Sequence, residues 1–262
     1  MAMDIGKLVV ERIEDITALD PADDKLLFLM DEPTGGSLEC AMETVWAEGK
    51  GGRRLYGLDR NKTASFTATN GYLVLSALQA QVGGDITEIT ENDPVNVPVV
   101  EYITPNAGKL TLSFTPVPDS MPFIYEANSD LTQGAAYEFG ADAADNFSIS
   151  GTTVTLPTNA DRTKTFIAIY EREATDGFVI TNDSETYAKT AKVIFTILCH
   201  ESCDMNSKFY TKLVFPRAKI DGNFTFDISG DAVVQEITIN ALADVCSVDK
   251  TYWRWYVISD EA

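Results

Sequence analysis

The one histidine of the chain lies in Cys199-His200-Glu201-Ser202-Cys203, the segment whose residue types and spacing come closest to a reactive centre. Two thiolates and an imidazole could begin a zinc site, but a four-coordinate ion would need Cys40, Cys246 or a carboxylate from elsewhere to complete it. A thiol nucleophile with His200 as its base fails for a different reason. Cys199 and His200 are adjacent, and adjacent residues of a strand point to opposite faces. The histidine also precedes the second cysteine, which is not the haem-attachment order. The expectation is thiols near a strand end, with no metal, no cofactor and no catalytic residue.

Other chemistry is equally thin. Glu48-Gly-Lys-Gly-Gly-Arg-Arg54 is glycine-rich and basic but lacks the spaced Gly-Lys-Ser/Thr that ends a phosphate-binding loop before a helix. It sits between two strand-like segments, so it reads as a hairpin tip. Carboxylates are abundant, yet nothing in their spacing selects a glycosidase pair. An enzyme is not expected.

Charge carries more information. Against 20 Lys and Arg stand 40 Asp and Glu, a formal balance of −20 with a pI near 4.3. Such a surface repels phosphates and anionic membranes; it does not exclude a channel through which DNA slides without sticking, and it equally fits an acidic surface that merely keeps a protein soluble. Between Leu110 and Asp161 there is no Lys or Arg, while seven acids occur: Asp119, Glu126, Asp130, Glu138, Asp142, Asp145 and Asp161. The basic residues are grouped too, at Lys50, Arg53, Arg54, Arg60 and Lys62, and again at Lys208, Lys212, Arg217 and Lys219. Basic segments on an acidic protein can dock one copy on another. Met1 to Gly6 has no basic segment followed by an apolar run, so no secretory signal is expected. No stretch approaches the roughly 18 apolar residues of a membrane span.

The elements that must carry these residues are strands. Ser37–Trp46 and Thr63–Thr69 alternate, Lys109–Phe114 places Leu110, Leu112 and Phe114 on one side, and Phe147–Leu156 predicts a hairpin turning at Ser150 and Gly151. Lys164–Arg172 and Thr190–Cys199 are apolar on both faces, as central strands are. Asn223–Ser229, Val233–Ala243 and the aromatic Thr251–Ile258 complete a β-rich carboxyl-terminal third, whose last strand must be covered. One helix is predicted over Gly71–Val82, with Asn70 as its amino-terminal cap, an apolar face of Leu73, Ala77, Leu78 and Gln81, and a stop at Gly83-Gly84. A short turn at Pro21–Asp24 could be a second. The 262 residues make one large domain, with about 105–183 as a possible inserted β-rich module.

Two of these segments resemble the major tail tube proteins of long-tailed bacteriophages. One is Gly57-Leu-Asp-Arg-Asn-Lys-Thr-Ala-Ser-Phe-Thr-Ala-Thr-Asn-Gly71 running into the helix; the other is Phe215-Pro-Arg-Ala-Lys-Ile-Asp-Gly-Asn-Phe-Thr-Phe-Asp-Ile-Ser-Gly230 followed by Gln235–Asp244. The resemblance implies a mainly β fold: a β-sandwich or barrel with one flanking helix, six copies closing into a ring, and rings stacking into a tube. It places the protein in the virion tail, assembled in the host cytoplasm, with genomic DNA passing through the lumen without specific binding and no membrane partner. Baseplate, tape-measure and tail-terminator proteins are its implied partners, with a tail sheath if the tail contracts. It also makes the Trp46–Leu55 connection the loop that reaches the next ring, with Lys50, Arg53 and Arg54 as inter-ring contacts. The alternatives are the tube of a phage-derived contractile injection system and a β-rich carbohydrate- or receptor-binding module.

Overall fold

β-Branched and aromatic residues alternating with polar ones run through both ends of the chain, and both ends contribute to one sheet. From the amino-terminal side come β1 (Leu8–Leu19), β2 (Leu26–Met30), β3 (Pro33–Glu48), β4 (Arg54–Asn70) and the helix α1 (Leu75–Val82). The middle supplies β5 (Ile86–Ile89), β6 (Val95–Ile103), β7 (Lys109–Thr111), β8 (Phe123–Ala127), β9 (Gln133–Phe139), β10 (Asn146–Ser150), β11 (Thr153–Thr155), β12 (Phe166–Ala174) and β13 (Gly177–Ile180). The last part adds β14 (Thr190–Glu201), β15 (Asp204–Ile220), β16 (Gln235–Ala241) and β17 (Arg254–Val257). The computed structural model describes residues 7–118, 120, 122–141, 144–202, 204–226, 234–243 and 250–258, with the backbone only for 204–207. The fold is mainly β, and α1 is the one helix among the described residues. Two compact units result: unit 1 comprises residues 1–86 and 180–262, unit 2 residues 87–179.

Unit 1 is an antiparallel sheet in the order β2-β1-β14-β15-β16-β4-β3, with β17 also paired to β15. β14 is central and buries Val193, Phe195, Ile197, Leu198 and Cys199, which explains its lack of polar alternation. Phe66 of β4 lies 4.1 Å from Phe195 of β14, ring centre to ring centre, although β15 and β16 intervene in the sheet order. The sheet therefore curls and encloses its core on one face. The half-buried Trp253, Trp255 and Val257 pack on that core, and the Trp255 indole donates to Thr211 Oγ1 at 2.9 Å, so one face of the aromatic terminal strand is covered within the unit while Tyr256 on the other stays exposed.

The helix differs from expectation at its start. Asn70 is not its cap; it ends β4, fully buried, with its amide donating to the Tyr72 carbonyl at 2.8 Å. The helix begins at Leu75, and the Val74 N–H donates to Gln235 Oε1 of β16 at 2.7 Å, an acceptor 161 positions away. Its buried face is Ala77, Ala80, Gln81 and Val82, whereas Leu73 stays exposed. Gly83 stops it in the left-handed conformation, its N–H returning to the Gln79 carbonyl. Pro21–Asp24 is the connection of the β1–β2 hairpin instead of a helix, with Asp20 accepting from the Ala22 N–H. Residues 223–226 form no strand either: Asp221 Oδ1 accepts from the Asn223 backbone and side chain, and this turn diverts the chain. The rest of the expected Asn223–Ser229 strand lies outside the described residues.

Unit 2 has the order β6-β12-β8-β9-β10-β11-β7, with β5 and β13 paired separately. β12 is central, between β6 and β8, and the predicted hairpin of β10 and β11 turns at Gly151, φ 57°. Its core gathers Leu110, Ile124, Phe147, Val154, Leu156 and Phe166. Acidic residues within it are not all surface charge. Buried Glu126 accepts from Lys164 Nζ at 2.6 Å, Tyr137 Oη at 2.5 Å and the Asp161 N–H at 3.2 Å. Burial and the bond to Glu101 push the Tyr170 phenol up to about 12.

Candidate assembly surface

The hairpin of β3 and β4 changes character along its length. Near its base β4 is also paired to β16, over Ser65–Asn70, and Ala64, Phe66, Ala68 and Asn70 are buried. From Ala41 and Thr63 outward only β3 and β4 pair with each other, and every β4 residue from Arg54 to Thr63 is exposed. At about 3.3 Å per residue, the run from Ala41 to Glu48 carries the arm about 25 Å beyond the sheet. An isolated two-stranded ribbon is marginally stable in water. Local contacts brace this one: Glu43 accepts from Arg60 at 2.8 Å and Asn61 at 2.7 Å, and Thr44 donates to Asp59 at 2.8 Å. The Arg60 guanidinium, with Asn61, holds the Glu43 carboxyl below its ordinary value.

Cross-strand register defines two faces. Val45 lies opposite Leu58 and Ala47 opposite Tyr56, which makes an apolar stripe with Leu58 60% and Tyr56 58% exposed. On the other face Trp46 lies opposite Gly57, where an added Cβ would come within 3.1 Å of the indole ring, and the Arg54 guanidinium stacks 4.8 Å from that ring's centre. The tip turns through Gly51 and Gly52, φ 78° and 73°, with the Gly49 N–H donating to the Arg53 carbonyl at 2.8 Å. Lys50 and Arg53 are exposed and form no ion pair among the described residues.

The expected contact residues Lys50, Arg53 and Arg54 thus stand together at the end of a projecting arm. Its apolar stripe was not anticipated as a site, although the alternation of Val45, Ala47, Tyr56 and Leu58 beside a glycine-rich turn is visible in the sequence. The second basic group differs. Lys208 pairs with Glu11 at 2.9 Å, Lys212 donates to Thr196 at 2.9 Å, and Lys219 donates to the Ala188 carbonyl. The Lys208 ammonium holds the Glu11 carboxyl below its ordinary value. These cations are engaged within unit 1.

Cys199 is buried with Sγ 3.6 Å from Thr211 Oγ1, and burial pushes its thiol up; Cys40 is exposed on β3, while Cys203 and Cys246 lie outside the described residues. His200 is buried with Nδ1 3.9 Å from Glu11 Oε2. Among the described residues no three His, Cys, Asp or Glu side chains gather as metal ligands, and no helix is long and apolar enough to cross a membrane.

The fold and the arm define a mainly β subunit whose hairpin, beyond its base, is paired only with itself among the described residues, apart from a bond of the Tyr252 hydroxyl to the Lys62 carbonyl at 3.0 Å. The sequence profile of the YomU/Tube protein family matches residues 8–254, and the chain belongs to that family: it is a phage tail tube protein, a structural component of the virion tail that assembles with itself. Comparison with curated proteins gives no match.

Proposed function

We propose that the protein is a non-enzymatic subunit that closes into six-membered rings, that the rings stack through the β3–β4 arm, and that the resulting channel conducts DNA into the host. The observation that carries this reading is the arm: a projecting ribbon with an exposed apolar stripe, and with Lys50 and Arg53 in no ion pair among the described residues. Exposed strand edges and apolar patches favour association, and a ring leaves no free edge while stacking stays open-ended. The acidic surface keeps phosphates from adhering to the channel wall. Residues 105–183 are an inserted module of the tube domain, carrying much of the acid-only stretch outside the stacking contact. Tape-measure, baseplate and terminator proteins bind the tube in its lumen and at its ends, and a sheath surrounds it if the tail contracts.

Negative-stain micrographs of the purified protein should show rings or tubes with a central hole; dispersed monomers at high concentration would refute the reading. Replacing Arg53 and Arg54 by Glu should weaken polymerisation and leave the subunit folded, as judged by circular dichroism. Unchanged tubes at physiological salt would remove the tip from the contact.

A further inference from the structure

Unit 1 carries a second surface that is open among the described residues. On the face of the sheet opposite the core, β2, β1, β14, β15 and β17 form a trough of about 980 Å³. Cross-strand register lays out its floor in two rows. Leu29, Thr17, Ile194 and Val214 lie side by side in one, and Asp15, Thr196, Lys212 and Tyr256 in the other. The second row is bonded across strands: Lys212 Nζ donates to Thr196 Oγ1 at 2.9 Å, and Thr196 Oγ1 to Asp15 Oδ1 at 2.9 Å. Glu14 and Asp31 complete a lining of three carboxylates and one ammonium, with Arg254 beside Val214 at the end of the first row. Arg12 engages Glu14 at 2.7 Å and the Tyr72 hydroxyl engages Asp31. Tyr210 and Tyr256 add aromatic rings, and Leu29 is 46% exposed.

We propose that this trough receives the β3–β4 hairpin tip of a second copy, an inference that rests on the reading of the arm as the stacking element. The two surfaces match in kind. The tip carries Lys50, Arg53 and Arg54 beside exposed Leu55 and Trp46; the trough carries carboxylates and phenols beside Leu29, Ile194 and Val214. Guanidinium groups bind carboxylates in forked geometry and stack on aromatic rings, so an Arg-rich tip suits this lining better than an aliphatic one would. The volume is at the upper end of the ~300–1,000 Å³ of small-ligand pockets, which gives room for a turn with its side chains. Tip and trough are also different surfaces of one subunit. A contact between unlike surfaces is heterologous and repeats without end when it does not close, as a tube of stacked rings requires.

Charge exchange tests the pairing. Arg53→Glu with Arg54→Glu reverses the tip, and Glu14→Lys with Asp31→Lys reverses the trough margin. Each should raise the concentration for half-maximal tube formation, read by sedimentation and electron microscopy, by at least about tenfold. The combined variant should recover most of that loss. A trough reversal that polymerises like the parent, or a combination that recovers nothing, overturns the proposal while a defect of the tip variant keeps the arm reading. A tip reversal without effect overturns the arm's tip as a contact altogether. A measurement that leaves the trough intact closes the test: p-benzoylphenylalanine in place of Leu55, irradiated in assembled tubes, should link to peptides containing Leu29, Ile194 or Tyr256 of another copy. Links confined to other segments overturn the proposal.

Discussion

The inner and outer halves of the β3–β4 hairpin share one pairing and have opposite fates. Both contain aromatic and aliphatic residues on paired strands. In the inner half these meet the core, where Phe66 contacts Phe195 and Phe215 and is 5% exposed. In the outer half Tyr56 and Leu58 are exposed among the described residues, although β3 and β4 go on pairing beyond a register shift between Ala41 and Glu43. The presence of aromatic and aliphatic residues does not separate a core strand from an assembly strand; the availability of a partner does. Groups with a partner in the chain set the stability of the subunit, and groups without one set its association.

The sharpest way to break that comparison is to truncate one residue in each half. Phe66→Ala should destabilise the isolated subunit by about 3–5 kcal/mol, the usual range for a buried Phe. Leu58→Ala should change it by no more than about 0.5 kcal/mol. Urea unfolding of subunits held unassembled measures both. Equal losses would mean that the arm folds against its own chain.

The same Leu58→Ala variant should show its effect in assembly. If Leu58 is buried between copies, its loss forfeits up to about 2 kcal/mol, which raises the concentration needed for tubes by up to about thirtyfold. Sedimentation of parent and variant across a concentration series reads this directly. Tubes formed at the parent's concentration would show that the stripe faces solvent in the polymer too.

A third change probes a partner that is distant in sequence. Gln235 accepts from the Val74 N–H and donates to Gln81 Oε1 at 3.2 Å, and Gln81 in turn donates to the Glu236 carbonyl at 3.0 Å. Gln235→Ala leaves a helix amino terminus and a buried amide short of partners, at a cost of about 1–2 kcal/mol. Thermal unfolding should show the loss with tube formation otherwise preserved.

What could be read from the sequence follows the same division. Local signals held where local physics decided: the central strands β12 and β14, the β10–β11 turn at Gly151, the glycine-rich tip, and the helix stop at Gly83. They failed where a competing partner decided, remote in one case and two residues away in the other. Asn70 has the chemistry of a cap, but the acceptor that serves the helix comes from β16. Asn223–Phe226 alternates like a strand, yet Asp221 turns the chain before it pairs. β6 carries Pro98 and gave no strand expectation; it is an edge of its sheet, where a missing N–H is tolerated. The arm was recognised by its basic turn. Its apolar stripe escaped notice because period-two alternation records which residues share a face, not whether the chain or another copy covers them.

The smallest expected effect separates a buried engaged carboxylate from an exposed one by pH. Burial alone would push the Glu126 carboxyl up, but the bonds from Lys164, Tyr137 and the Asp161 N–H outweigh it and leave it below its ordinary value. A carboxyl depressed in the folded state adds stability that is complete above its unfolded pKa and lost as pH falls through the folded one. Unit 2 should therefore lose this increment on acidification below about pH 4.3, the ordinary Glu value. In Glu126→Gln the amide can still accept one bond but carries no charge, so the acid-side slope of stability should flatten by the share of one group while stability at neutral pH falls. Glu43, bonded on the exposed arm, should give no comparable change when made Gln. Denaturant titrations of the two variants between pH 3 and 7 measure the difference, and matching slopes would mean that the ion pair of Glu126 and Lys164 is as open to water as the arm.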